Sequence, residues 1–384
     1  MRSWTFLAAG LFLATTALSA TTISAMAQQA APASPTAPAQ SAHADPMNEA
    51  AVAGVMQKAV DAVIRPAYAS MHASAAGLTT AMRSLCSTPS PAAATTARRA
   101  FAETIAAWSK IEIVQVGPVL DKNRFEHILF YPDRKGIGMK QVQALIAKAD
   151  DKDTTVTDVA KKSVALQSLT ALEYVLYGTG SETLATDKNG FRCRYGAAVA
   201  GNIEQVSGQL ASEWDDPKGV SSSWKAPGKD SADFMDNKEA ITALLGILVH
   251  GAENVRDQRL ETFYKGDPAA ARPHMAIYWR SQNTWPSLMA NIEGLQALWQ
   301  KAGMADLLPP DKRAIAAKID GLLAQLITTA GSINPNVEAA IGDPAERAKI
   351  DRLRSDARDL TTDFSDGFGV DIGLSAGFSF ADGD

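Results

Sequence analysis

Histidine, cysteine and the common catalytic signatures are scarce in this chain of 384 residues. It contains no H-E-x-x-H zinc motif, no G-x-S-x-G nucleophile elbow, no Walker-type phosphate loop and no dinucleotide fingerprint. Only five histidines occur, at His43, His72, His127, His250 and His274. These absences exclude the familiar zinc-protease, serine-hydrolase and nucleotide-binding signatures, and no histidine-rich metal site is evident.

An excess of positive charge is also missing. The net charge is -5, with 37 Lys and Arg against 42 Asp and Glu spread along the chain. This balance does not favour nucleic acid or an anionic membrane surface as a partner. After the N-terminus, no apolar run is long enough for a transmembrane helix, so we expect none in the mature chain.

The N-terminus has the pattern of a secretory signal peptide. Arg2 precedes the apolar residues 6–18, and the A-x-A sequence of residues 25–27 is a suitable cleavage site. No cysteine lies near that site, so a lipid anchor is not expected. Residues 28–46 are rich in Ala, Pro and Ser and predict a disordered tether. We therefore expect residues 1–27 to be removed and the protein to be soluble in a bacterial periplasm.

The two cysteines, Cys86 and Cys193, both lie in the part expected to be exported. In an oxidising compartment such a pair predicts a disulfide more than two free thiols. A thiolate metal site is not favoured, because the C-x-x-C spacing is absent.

Helical periodicity runs through the chain from residue 47 onward, without alternating strand patterns. We predict an all-α fold of two helical bundles. The Pro-, Gly- and Ser-rich residues 215–233 suggest a boundary between an N-terminal bundle, residues 47–230, and a C-terminal bundle with its tail, residues 231–384. The Gly-rich extension, residues 367–384, carries apolar side chains that could dock on the bundles.

One carboxylate stands out in residues 166–178, LQSLTALEYVLYG. On a helix predicted from residue 157 or 158 to Gly178, Glu173 falls within the arc of the leucines. A carboxylate on a buried face needs a cation, a metal or hydrogen-bond donors. Glu173 is therefore either a structural ion-pair partner or part of a site.

Three other groups could carry chemistry. The irregular residues 119–138 hold Arg124, Asp133 and Arg134, and the preceding helix holds Trp108 and Glu112. These residues could line a cleft, or an arginine among them could neutralise a buried acid such as Glu173.

His250 and Glu253, three residues apart, could share one helix face as metal ligands, or could belong to a partly exposed face. The polar run of residues 253–259 is interpreted as a solvated face.

Four segments resemble the imelysin family, also called the insulin-cleaving membrane protease or M75 peptidase family. They occur in the family's order and are WSKIEIVQVGP (108–118), FYPDRKGIGMKQVQ (130–143), residues 166–178 and the closing GFSFADGD (377–384). The resemblance implies two helical bundles around a cleft, export and an association with iron acquisition.

The family's signature is G-x-H-x-x-E, proposed as a metal or peptidase site. Here Ser168 takes the Gly position, Thr170 the His position and Glu173 the Glu position, so only the glutamate matches. Threonine is a poor replacement for an imidazole ligand or base.

Our favoured hypothesis is therefore an imelysin-like exported protein that is not demonstrably catalytic. It would bind a metal or small ligand in the cleft and serve iron or metal uptake together with components of such a system. The cofactor stays open, with iron or another divalent metal as candidates. In this hypothesis Glu173 is a ligand or acceptor, Ser168 and Thr170 shape the pocket, and Arg124 fixes the Glu173 carboxylate.

Two alternatives remain. The first is a metallopeptidase with Glu173, His250 and Glu253 as metal ligands. The second is a structural or interaction module in which Glu173 is buried in an arginine ion pair.

Overall fold

The computed structural model describes residues 47–374, and every regular element in these residues is helical. The all-α prediction is thus confirmed. The α-helices are α1 Glu49–Lys58, α2 Arg65–Ser87, α3 Pro91–Ile111, α4 Arg124–Ile128, α5 Ile137–Lys148, α6 Val156–Val159, α7 Leu169–Tyr177, α8 Phe191–Asp215, α9 Val220–Lys225, α10 Asn237–Asn254, α11 Thr284–Lys301, α12 Ala314–Gly331, α13 Val337–Gly342 and α14 Pro344–Thr362.

Shorter helical turns connect or extend these helices. Three π-helical segments follow α-helices directly, at Ala59–Ile64, Val255–Leu260 and Asp363–Gly369. The 3-10 turns are Gly117–Asn123, Asp151–Asp153, Val164–Leu166, Ser181–Ala185, Pro273–Met275, Met304–Leu307 and Pro310–Lys312. A π turn adds one residue to the helical circuit and so changes which side chains face the core.

The helix that carries Glu173 is shorter than predicted. A continuous helix from residue 157 is wrong, because α7 begins only at Leu169. The side-chain amide of Gln167 donates to the Lys162 carbonyl at 2.5 Å, which closes the chain upstream in a turn. Glu173 itself is 3 % exposed, so its predicted place on a buried face is confirmed.

The core is continuous along the described chain. Helix α2 packs against α3 and α8, and α11 packs against α3 on one side and α12 on the other. The large buried side chains include Trp108, Trp214 and Trp299. Residues 47–374 all belong to one compact unit. The predicted division at residues 230 and 231 stays a prediction.

The disulfide prediction is confirmed. Cys86 at the end of α2 is bonded to Cys193 in the first turn of α8, with the two Cα atoms 5.5 Å apart. The bridge ties together two of the closely packed helices across a sequence separation of 107 residues. A loop of that size stabilises a fold by roughly 4–5 kcal/mol in the chain-entropy view.

Several predictions concern the chain ends. No helix in residues 47–374 has the length and apolar character to cross a membrane. The predicted signal peptide (1–27), the tether (28–46) and the last ten residues of the tail, with GFSFADGD, lie outside the described residues.

Candidate functional site

A cavity of about 950 Å³ lies beside one face of α10. Its opposite wall is formed by the chain between α3 and α5, including Ile113, Val116, Phe125 and Leu129. This segment cannot form a long helix, because Gly117 has a φ of 64° and a proline follows it. The interrupted chain therefore covers the α10 face loosely, and a largely apolar cavity remains between them.

Small side chains on α10 leave the room for this cavity. Thr242, Ala243 and Gly246 line it, spaced by one helical turn. A Cβ atom on Gly246 would meet only the ring of His250 within 4 Å. The first turn is fixed by side-chain hydrogen bonds, since the N-cap residue Asp236 accepts from the Glu239 amide at 2.9 Å and Glu239 accepts from the Met235 amide at 2.7 Å.

His250 and Glu253 lie further along the same face and line the cavity together. The Nδ1 atom of His250 is 3.0 Å from Oε2 of Glu253. The two side chains are 30 % and 32 % exposed. The prediction that both residues share one helix face is therefore confirmed, and that face borders a cavity.

The floor of the cavity includes Arg259, which sequence analysis assigned to a solvated face. That interpretation is wrong for Arg259, which is 3 % exposed. It belongs to the π segment Val255–Leu260, and its Nη2 donates to Oε1 of Glu112. The side-chain amide of Asn291 donates to the same oxygen at 2.7 Å. A buried arginine and a buried glutamate thus pair beneath the cavity.

This pair leaves several buried polar atoms without a partner among residues 47–374. They are Nε and Nη1 of Arg259, Oε2 of Glu112, Oδ1 of Asn291 and the hydroxyl of Tyr278. Burial raises the pKa of Glu112, although Arg259 and Asn291 oppose the shift. Burial also raises the pKa of Tyr278 well above its usual value. Unsatisfied groups at this density mark a region suited to ordered water or polar ligand atoms.

Tyr131 joins this region to the cavity wall. Its hydroxyl lies 3.2 Å from the Gln258 carbonyl and 3.1 Å from the Met275 carbonyl. The Arg259 guanidinium carbon lies 5.2 Å from the centre of its ring, a cation–π distance. Burial raises the pKa of Tyr131 to about 12, so it remains a neutral donor near physiological pH.

Glu173 is not part of the cavity wall and instead binds the loop that contains Ser281. Its Oε1 accepts from the amide of Ser281 at 2.9 Å and from the Ser281 hydroxyl at 2.8 Å. The loop around Ser281 needs such an anchor, because Tyr278 and Gln282 have positive φ angles of 53° and 59°. Burial raises the pKa of Glu173, and the Ser281 donors and the Arg280 charge act against the shift.

The predicted role of Arg124 is wrong. Its guanidinium binds Glu213 of α8 through Nη1 at 2.8 Å and Nη2 at 2.7 Å, not Glu173. Arg124 starts α4, which packs on α8, and Nη1 also donates to the Pro118 carbonyl at 3.0 Å. The pair therefore fixes the irregular segment to α8.

Ser168 and Thr170 are held by each other and by the neighbouring chain. Their hydroxyl oxygens are 2.8 Å apart, and Thr170 donates to the Phe130 carbonyl at 3.2 Å. Neither residue is part of the cavity wall, so they do not shape this pocket.

The remaining predicted cleft residues, Asp133, Arg134 and Trp108, are not part of the cavity wall. Asp133 accepts from the Met139 amide at 2.9 Å at the start of α5, and Arg134 is exposed. Trp108 is fully buried, with its ring centre 5.3 Å from that of Phe125. Trp108 thus supports the back of the Phe125 wall.

The predicted metal ligands Glu173, His250 and Glu253 do not form a metal site together. His250 and Glu253 line the cavity, whereas Glu173 binds Ser281. In the described part of the chain, no three His, Cys, Asp or Glu side chains are grouped so that they could hold an ion.

Sequence analysis missed Arg259, Asn291 and Tyr278. One signal pointed to Arg259, since it lies four residues after Val255, on the face that also buries Ala252. The π turn strengthens that placement, but its position is not evident from the sequence. Asn291 and Tyr278 carry no local signal of this kind.

One family model and several solved structures match this chain. The family described as Imelysin (Peptidase M75) matches residues 64–363. The crystal structure of an imelysin-like protein from Psychrobacter arcticum 273-4 has a TM-score of 0.70 and 17% sequence identity, and the match covers 87% of this chain and 100% of that one.

A second crystal structure has a TM-score of 0.69 and 16% identity, with 86% of this chain and 97% of that one covered. It is described as a putative iron-regulated protein A precursor from Parabacteroides distasonis ATCC 8503. At these identities the structures show a shared fold. No curated protein sequence matches the chain.

Proposed function

The chain belongs to the imelysin family, and on that premise we propose that it is an exported binding protein. It holds a small organic ligand in the cavity beside α10 and takes part in iron or metal uptake. The observation that carries this proposal is the cavity itself. Its volume of about 950 Å³ is at the upper end of the range of small-molecule sites, roughly 300–1,000 Å³.

The composition of the wall fits an organic ligand. Ile113, Val116, Phe125 and Leu129 supply an apolar surface that would remove a ligand's carbon atoms from water. Most of the polar and charged lining residues lie on α10 and on the π segment after it, where a rigid helix positions them. An apolar wall that faces polar groups held on a rigid helix is typical of specific ligand sites.

A bare metal ion fits the described residues less well. A protein site for a transition metal uses about three or four protein ligands, and no such group occurs in residues 47–374. The metallopeptidase alternative has the same requirement. We therefore base the proposal on ligand binding and not on hydrolysis.

The proposed link to iron and to export rests on other support. One structural neighbour is described as a putative iron-regulated protein A precursor, and the first 27 residues of this chain have the signal-peptide pattern. An iron-related role would be tested by transcript abundance in the source cells under iron starvation. An unchanged transcript would set the iron part of the proposal aside.

A cavity-filling variant tests the binding proposal. Gly246→Leu places a side chain in the cavity without a backbone clash, and Gly321→Leu makes the same change on the exposed face of α12. The probe is anilinonaphthalene sulfonate, titrated by fluorescence. We expect one site per chain in the wild type and in Gly321→Leu, and affinity at least about tenfold weaker in Gly246→Leu.

Thermal unfolding and circular dichroism would establish that both variants are folded. Equal probe binding by folded Gly246→Leu and wild type would show that the cavity is not the binding site.

A further inference from the structure

The hydrogen bond between His250 and Glu253 is of a kind that metal-binding histidines make. Histidines that bind metals almost always donate their other ring N–H to a carboxylate or carbonyl, which fixes the tautomer and the ring. In this protein Nδ1 of His250 is 3.0 Å from the Glu253 carboxylate. In the neutral tautomer with its proton on Nδ1, the lone pair of the ring lies on Nε2 and is available to bind.

The Nε2 atom lies on the cavity side of α10. A Cβ atom on Gly246 would be 3.8 Å from Nε2 and 3.7 Å from Cδ2, so this edge of the ring lies over a glycine that lines the cavity. Nε2 has no hydrogen-bond partner in residues 47–374. A histidine and glutamate three residues apart are common on exposed helix faces, but here both line the cavity.

One imidazole does not make a protein metal site. The remaining coordination positions would have to be filled by atoms that the described side chains do not supply. The cavity has space and apolar surface for an organic molecule that could supply them.

We propose that the cavity binds a metal chelate, in which an organic molecule already holds the metal and leaves one coordination position for Nε2 of His250. The proposal rests on the proposed function and specifies its ligand class. The apolar walls hold the organic body, Gly246 leaves room beside the ring, and Glu253 orients His250 and strengthens its basicity. The metal is part of the ligand, so the protein needs no cage of its own.

Two chelates of different size test the proposal on the mature chain. The probes are copper(II) bound to one phenanthroline and iron(III) protoporphyrin, each compared with its metal-free organic molecule. Binding is followed by fluorescence quenching, and coordination by the visible absorption bands of the metal. We expect at least one chelate to bind at least about tenfold more tightly than its metal-free form, with a spectrum typical of imidazole coordination.

Three variants distinguish metal coordination by His250 from binding of the organic molecule by the cavity. His250→Ala should remove the spectral change and the advantage of the metal form, while metal-free binding stays the same. Glu253→Gln should weaken chelate binding by roughly ten- to a hundredfold. His274→Ala is the matched control, because His274 lies 3.8 Å from Glu338 on an exposed surface and is not part of the cavity wall.

The outcomes distinguish this inference from the proposed function. Equal affinity for metallated and metal-free probes, or an unchanged His250→Ala variant, would overturn the chelate proposal and leave cavity binding intact. Failure of both chelates to bind, while anilinonaphthalene sulfonate binds, would also overturn it. Absence of all binding in a folded protein would overturn both proposals.

Discussion

Replacing Glu173 with Gln tests whether Glu173 acts only as a hydrogen-bond acceptor for Ser281 or is needed as a charged residue of a binding site. The two Ser281 donors both meet Oε1, at 2.9 and 2.8 Å, and a glutamine Oε1 can accept both bonds. Glu173→Ala removes them. Comparing these two variants with the wild type therefore tests the charge and the hydrogen bonds separately.

The expected change in unfolding free energy for each variant follows from the burial of Glu173 and Ser281. Losing the acceptor in Glu173→Ala should cost about 1–3 kcal/mol of unfolding free energy, since Ser281 is half-buried and water can reach part of it. Glu173→Gln should lie within about 1 kcal/mol of the wild type at low pH, where the carboxyl is also neutral.

The pH dependence of the unfolding free energy shows whether folding raises or lowers the pKa of Glu173. Burial raises the pKa of Glu173 above its ordinary value of 4.5. The folded protein then holds the proton more tightly than the unfolded chain does, so wild-type stability falls as the pH rises from 4.5 through the folded pKa. Glu173→Gln lacks this loss and should gain stability relative to the wild type over that range. Every tenfold change in the dissociation constant corresponds to about 1.4 kcal/mol.

Urea unfolding followed by circular dichroism over a pH series would measure these differences. Anilinonaphthalene sulfonate binding should be the same in Glu173→Gln and the wild type, because Glu173 is not part of the cavity wall. A stability difference that is flat with pH would show that folding leaves the pKa of Glu173 unchanged, and one that favours the wild type as pH rises would show that Glu173 is stabilised as an anion. Either result would contradict the raised pKa. Loss of probe binding in a folded Glu173→Gln protein would place Glu173 in the site and refute our assignment.

Two further predictions follow from the structure. Arg259→Met leaves the Glu112 carboxylate buried beside Asn291 alone and should lower the unfolding free energy by about 3–5 kcal/mol, whereas Arg259→Met combined with Glu112→Gln should recover part of the loss. Urea unfolding would measure this, and strictly additive costs would contradict a coupled pair. Protein recovered from the periplasm should begin at Gln28 and carry the Cys86–Cys193 disulfide, as intact mass analysis would detect. Reduction should lower stability by roughly 4–5 kcal/mol, and a reduced protein of unchanged stability would show that the bridge does not constrain the unfolded chain.

The predicted site and the observed one are connected through a loop. Glu173 anchors Ser281, and Tyr278 in the same loop is buried where the charges of Glu112, Arg259 and Glu173 all affect its pKa. Arg259 in turn lines the cavity. Glu173 therefore supports a loop next to the buried Arg259 and Glu112 pair, and it is not part of the cavity wall.

Local patterns predicted much of the fold. The 3.6-residue period predicted the helical class and put Glu173 on a buried face, and the expectation of an oxidising compartment predicted the disulfide between Cys86 and Cys193. The same period failed upstream of Leu169, because a side-chain bond from Gln167 competes with the helix there. It also placed His250 and Glu253 together correctly, since residues three apart in a helix are always neighbours.

The sequence by itself thus determined the helices, the covalent link and the burial of one acid, all of which depend on nearby residues or on the compartment. Tertiary structure alone determined which residues the buried polar side chains contact. Glu173 meets Ser281 across 108 residues, and Glu112 meets Arg259 across 147. Such contacts depend on how helices that are distant in the sequence pack against each other. A local period states which face is apolar, but only packing determines what that face meets.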